Sequence, residues 1–176
     1  MTDIAIDERP PRAGASGFLL SNRLRLFLGA AAALLTGLSL YAVTRWLFGF
    51  IGPDPHNFAV AFHIATVVPA IPLGAYVLLA PKGGLRHRLL GRFWLGLMTA
   101  TAISTIFIRS FSGGFSPIHV FTVMTFIAIP GAIMSARSGN IDKHRKHMIG
   151  FYIGALILAG ITAFTPGRTM WHWAFG

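Results

Sequence analysis

The sequence predicts an all-α integral membrane bundle of five transmembrane helices, with its N-terminus cytoplasmic and its C-terminus outside. Three observations carry this. The 176 residues are 54% hydrophobic and 11% charged, with a mean hydropathy of +0.64, whereas soluble domains carry about 25% charged residues. Five apolar runs, at 26–44, 58–80, 93–108, 118–136 and 148–165, interrupt the polar segments. Each is close to the ~17–25 residues that cross a hydrocarbon layer of about 30 Å, the third needing flanking residues to reach. Lysine and arginine then number four before the first run and one, four, one, four and one after successive runs. Basic residues stay on the cytoplasmic side, so this alternation sets the orientation.

Residues 1–22, with Pro10-Pro11, Asp3, Asp7 and Glu8, read as a flexible cytoplasmic tail. The acidic residues and the long apolar run beyond them argue against a cleaved signal peptide. Residues 23–176 then form a single membrane domain: one lone helix followed by two helical hairpins. Gly83-Gly84 makes the first inner turn and 137–140 (Arg-Ser-Gly-Asn) the second, where Asn140 or Asp142 caps the last helix. Segment 110–117, with Gly113-Gly114, forms the outer loop between the hairpins, and Pro117 suits the first turn of its helix. Pro69, Pro72 and Pro130 fall inside runs and bend their helices. Gly150-x-x-x-Gly154 is expected to let a neighbouring helix approach. Trp46, Trp171 and Trp173 fall at the expected outer interface and Trp94 at the inner one.

The two hairpins repeat a pattern. His63 precedes His87-Arg88 by 24 residues, with Arg109 22 beyond His87; His119 precedes His144-Arg145 by 25, with Arg168 24 beyond His144. One helix and a turn occupy about that length, so the unit reads outer His, helix, inner His-Arg, helix, outer Arg. Residues 57–112 and 113–172 are therefore candidate repeats related by an axis along the membrane normal.

Composition excludes several functions. The net charge of +10 follows the topology instead of forming one basic patch, so nucleic acid is not a partner. No cysteine is present, which removes disulfides, iron–sulfur clusters and thiolate metal sites. No run contains Asp or Glu, the usual relays of proton-coupled carriers. Gly14-Ala15-Ser16-Gly17 spells the string of an intramembrane serine protease but lies in the polar tail, where that chemistry has no helix to work from.

Candidate site residues are the polar groups within or at the ends of the runs. His63 lies about 7 Å, and His119 about 3 Å, inside the outer ends of their helices. Two imidazoles facing each other at that depth suit axial ligation of a b-type haem, with Nε2 atoms about 4 Å apart. Arg109 and Arg168 end the partner helices there and suit haem propionates or another anion. Thr101, Thr105 and Arg109 make one polar row. Each has a structural reading too: a histidine bonding a neighbouring carbonyl or solvated at the interface, snorkelling arginines, hydroxyls bonded to their own helix. At the inner surface His87, His144 and His147 lie among Arg86, Arg88, Arg92, Arg145 and Lys146. His144-x-x-His147 shares a face that permits a metal, but the surrounding cations favour anions such as lipid phosphate.

His87-Arg88-x-x-Gly91-Arg92-x-Trp94, Ser116-Pro117-Ile118-His119, His144-Arg145-x-x-Met148 and Pro166-Gly167-Arg168 resemble the bacterial predicted membrane proteins grouped as domain of unknown function 2306. The resemblance spans residues 57 to 168 and implies a small multi-pass inner-membrane protein without a settled biochemical role. A weaker likeness is to cytochrome b561 and ferric-reductase bundles, from which the chain departs because no run carries two histidines. Three function classes are expected from these residues: a redox protein with haem b or quinone and a respiratory partner, a small-ligand carrier with an outer His/Arg pocket, or a structural subunit of a membrane complex.

Overall fold

The computed structural model describes residues 20–48, 58–108 and 118–176. Six helices account for them: α1 (Asn22–Leu47), α2 (Phe58–Leu79), α3 (Leu85–Phe107), α4 (Ile118–Arg137), α5 (Ile141–Ala163) and α6 (Thr169–Phe175). The first five are long and apolar enough to cross a membrane. The expected tail lies mostly, and the loop at 110–117 and Arg109 wholly, outside the described residues.

α2, α3, α4 and α5 form a closed circuit in which each helix packs on the next and α5 returns to α2; α1 packs on α2 and on the middle of α5. α1 begins at Ser21, whose Oγ accepts from the Leu24 amide at 3.2 Å. Its buried residues, Leu28, Ala32, Leu35, Ser39 and Ala42, recur every three or four positions and so form one stripe toward the bundle. Leu26, Leu34 and Leu40 are exposed, as a face in contact with lipid acyl chains should be.

Both hairpin turns fall where the glycines predict. Gly83 (φ 88°) joins α2 to α3 and Gly139 (φ 72°) joins α4 to α5, conformations that a side chain would strain. Asn140 caps α5, its Oδ1 accepting from the Lys143 amide at 3.0 Å. The third span starts earlier than its apolar run, at Leu85, which brings His87 and Arg88 into the first turn of α3.

The centre of the bundle corrects one expectation. Trp94 is not an interfacial indole: it is 1% exposed, and its Nε1–H donates to the Ala70 carbonyl at 2.9 Å. The Tyr152 hydroxyl donates to the adjacent Ile71 carbonyl, also at 2.9 Å. Both acceptors sit between Pro69 and Pro72, and a carbonyl oxygen has two lone pairs, so each can take a donor from a neighbouring helix. Trp94 also meets Phe151 edge-on, with centroids 5.5 Å apart. Gly74 makes the close approach: a Cβ there would lie 2.5 Å from Trp94 Nε1 and 2.7 Å from Tyr152 Cε2.

Only half of the Gly150-x-x-x-Gly154 motif packs. Gly154 abuts Met124 of α4, whereas a Cβ on Gly150 would meet nothing within 4 Å. The register changes close by, because Ile153–Leu158 of α5 is π-helical. Beyond α5, Gly167 (φ 82°) turns the chain into α6, which lies back against α1. Trp46 and Trp173 stack at 5.1 Å, and Arg45 donates to the carbonyl oxygens of Ala174 (2.6 Å) and Gly176 (3.1 Å).

Candidate functional site

Toward the end that holds His63 the bundle contains a cavity of about 340 Å³ among α1, α2, α3, α4 and α5. That volume lies at the lower end of the range for small-molecule pockets, roughly 300–1,000 Å³. Its walls are mostly aliphatic, with Ile64, Val67, Ile71 and Met98 on the α2–α3 side and Leu156, Ala159 and Gly160 on α5. Leu156 belongs to the π-helical stretch and Ala159 comes directly after it. An inserted residue rotates the rest of the helix about its axis, and such bulges recur where helices line functional sites.

One wall is polar. His63 Nδ1 lies 3.1 Å from Ser104 Oγ, 3.2 Å from Thr105 Oγ1 and 3.3 Å from the Thr101 carbonyl oxygen. Each hydroxyl in this group also has a carbonyl or hydroxyl oxygen within reach. Ser104 and Thr105 donate to the Thr101 carbonyl at 2.7 and 2.9 Å. Thr101 donates to Thr66 Oγ1 at 2.8 Å, and Thr66 donates to the His63 carbonyl at 2.9 Å. In this arrangement the neighbours of Nδ1 accept, and the Thr101 carbonyl can do nothing else. A bond to that carbonyl puts the proton on Nδ1 and leaves the lone pair of the neutral ring on Nε2. Burial in an apolar wall with one nitrogen tied down also fixes the ring's orientation.

The opposite wall, on α4, carries Thr122 and Thr125. Thr125 returns its proton to the Phe121 carbonyl at 2.8 Å, but Thr122 Oγ1 is buried without a hydrogen-bond partner among the described residues. Thr162, Thr165, Arg168 and Thr169 complete the rim at the start of α6. Arg168 is half-buried there, as the N-cap residue of that helix.

The expected site residues thus divide. His63 and Arg168 share the cavity, as do Thr101 and Thr105. His119 is half-buried at the start of α4 and is not among the residues lining the cavity; Arg109 lies outside the described residues. Thr66, Ser104 and Thr122 do not stand out in the sequence by composition or charge. A signal is there, since His63-x-x-Thr66 and His119-x-x-Thr122 place a hydroxyl on the histidine's own helix face in both hairpins.

At the basic end the histidines do structural work. His144 Nδ1 donates to the Ala132 carbonyl at 2.9 Å, tying α5 to α4. His147 packs on Gly131, where a Cβ would lie 3.1 Å from its ring. His87 is half-buried within electrostatic reach of His144 and Lys82, and Arg88 is exposed. No group of three or more His, Cys, Asp or Glu able to hold a metal ion occurs among the described residues.

Residues 60–173 match the model of a family described as predicted membrane protein (DUF2306). The chain belongs to this family. The match covers nearly all of both hairpins, every cavity-lining residue but Ser39, and most of α6, and it agrees with the resemblance carried by the His-Arg motifs. No curated protein and no solved structure matches, so the likeness to cytochrome b561 bundles gains no support. For this DUF2306 protein, membership and the five spans establish a multi-pass membrane protein that sits in a lipid bilayer.

Proposed function

We propose that this DUF2306 protein binds one small, largely apolar molecule with a polar head in the His63 cavity, a quinone being the ligand class that fits best. The observation that carries the reading is the pairing, in one cavity of about 340 Å³, of an oriented histidine with Arg168 and aliphatic walls. A quinone head needs donors for its carbonyl oxygens, and its reduced form needs an acceptor for its hydroxyl. Arg168 and Thr122 supply donors, and His63 Nε2 supplies the acceptor. The aliphatic walls take the ring and the first part of a tail.

A b-type haem is the second reading. The Nδ1–H that His63 spends on the Thr101 carbonyl leaves Nε2 as a ligand of the kind haem iron takes. A second axial ligand would then have to come from His119 or from outside the cavity lining. The redox role, the inner membrane and the cytoplasmic placement of the basic end belong to the same proposal.

The two readings separate on purified protein. Mass spectrometry of the organic extract should recover a quinone in stoichiometric amount, and dithionite should produce no b-type spectrum. A reduced-minus-oxidised haem spectrum that His63→Ala abolishes would replace the quinone with haem. An extract and a spectrum both empty, after expression in quinone-replete cells, would contradict the cavity's assignment to either.

A further inference from the structure

The opposite end of the bundle gathers cations that the cavity does not use. Contacts at the centre set their heights. Tyr152 of α5 reaches Ile71 of α2, and Trp94 of α3 reaches Ala70. Seven residues from each contact, about 10 Å along the axes, bring Arg145 level with Leu78 and His87 level with Val77. Arg25 of α1 joins the same layer directly, its Nη2 donating to the Leu79 carbonyl at 3.5 Å. Lys82 lies three residues further on, in the turn between α2 and α3.

Three cations from three distant parts of the chain therefore lie in one layer at this end of the bundle. They sense one another: partial burial, then the Arg145 and Arg25 guanidinium groups, hold the Lys82 ammonium below the ordinary lysine value. His87 lies within electrostatic reach of His144 and Lys82. Asp142, on the first turn of α5, is the sole carboxylate among the described residues. α3 starts just beside the cluster with no side-chain cap at Gly84, which leaves first-turn amides directed to the same end. Like charges held this close repel, and a bound anion removes that penalty. Dispersed topology signals would not need to converge.

We propose that Arg25, Lys82 and Arg145 together bind a phosphate group at the membrane surface, that of an anionic phospholipid whose chains lie along α1. Arg25 and Lys82 are exposed and Arg145 half-buried, so a headgroup reaches all three from the bilayer. Free phosphate offers the same chemistry without the chains.

Thermal unfolding of the full chain in a neutral detergent, titrated with phosphatidylglycerol, phosphatidylcholine or inorganic phosphate, tests the site. Phosphatidylglycerol should raise the Tm saturably and phosphatidylcholine should not. Lys82→Gln should raise the lipid-free Tm by relieving repulsion, and should weaken apparent phosphatidylglycerol affinity about ten-fold. Lys143→Gln, the same charge change on an exposed residue outside the cluster, should leave that affinity as it was. If inorganic phosphate alone gives the Lys82-dependent shift, the site stands and its ligand is the free ion. Equal weakening by Lys82→Gln and Lys143→Gln, or no shift with any anion in the unsubstituted protein, would overturn it.

Discussion

Trp94 donates its indole proton to the Ala70 carbonyl, across from α3 to the proline-containing part of α2. That bond fixes the register of α2 against α3, and with it the depth at which His63 meets α3. Tyr152 repeats the arrangement from α5 on the next carbonyl, so three helices are joined at adjacent carbonyls of α2.

Tyr152→Phe removes one of these bonds and little volume. It should cost about 1 kcal/mol, near the usual net value of a hydrogen bond, whereas Trp94→Phe also loses packing and should cost about 2–4 kcal/mol. Chemical or thermal unfolding in detergent checks the order; equal costs would mean that the Ala70 contact carries no more than its hydrogen bond.

Gly74 and Gly150 give a matched pair. Alanine at Gly74 drives a Cβ into Trp94 and Tyr152, whereas alanine at Gly150 meets open space. Gly74→Ala should destabilise by about 1–3 kcal/mol and Gly150→Ala should be neutral or stabilising, since alanine is the better helix former. Loss of stability at Gly150 would show a contact at that face which the single chain lacks, such as one with another copy.

The α6 helix is held to α1 by the Trp46–Trp173 stack and by Arg45. Arg168, Thr169 and Met170 of the same segment line the cavity. Arg45→Ala should therefore raise amide hydrogen exchange across Thr169–Phe175 and speed ligand release, with little change in the five spans. Unchanged exchange in α6 would show that the aromatic stack alone holds it.

Orientation has its own test. Alkaline phosphatase fused after Gly176 should be active, and inserted at 83–86 inactive, because the basic end is expected in the cytoplasm. The reverse pattern would move the His63 cavity to the cytoplasmic side.

Whether a feature is legible in the sequence depends on how local its cause is. The spans, the inner turns and the Asn140 cap rest on local chemistry, so the sequence carries them. His63 stands out because a histidine inside an apolar run needs a partner. Trp94 misleads, since tryptophan near a helix end ordinarily signals the interface; its partner is the carbonyl of Ala70, next to Pro69, that only the folded bundle brings near. The π-helical stretch at Ile153–Leu158 leaves no periodic mark, because one inserted residue hides in an all-apolar run. Thr66 and Ser104 are hidden for a similar reason: hydroxyls that bond their own helix look alike until the facing residue is known. The expected pairing of His63 with His119 rests on spacing, and spacing sets height along the axis without setting the direction a side chain takes.

Equilibrium titration with a short-chain quinone, read by tryptophan fluorescence in lipid nanodiscs, bears most directly on the cavity. Saturation at one molecule per chain is expected, with His63→Gln and Arg168→Gln each weakening it at least ten-fold, roughly the loss of one good hydrogen bond to a buried or charged group. Ser39→Ala, on the α1 wall away from the polar network, should bind as the unsubstituted protein does. Binding that is equally strong in all four proteins, or that never saturates, would contradict the assignment of His63 and Arg168 to a ligand.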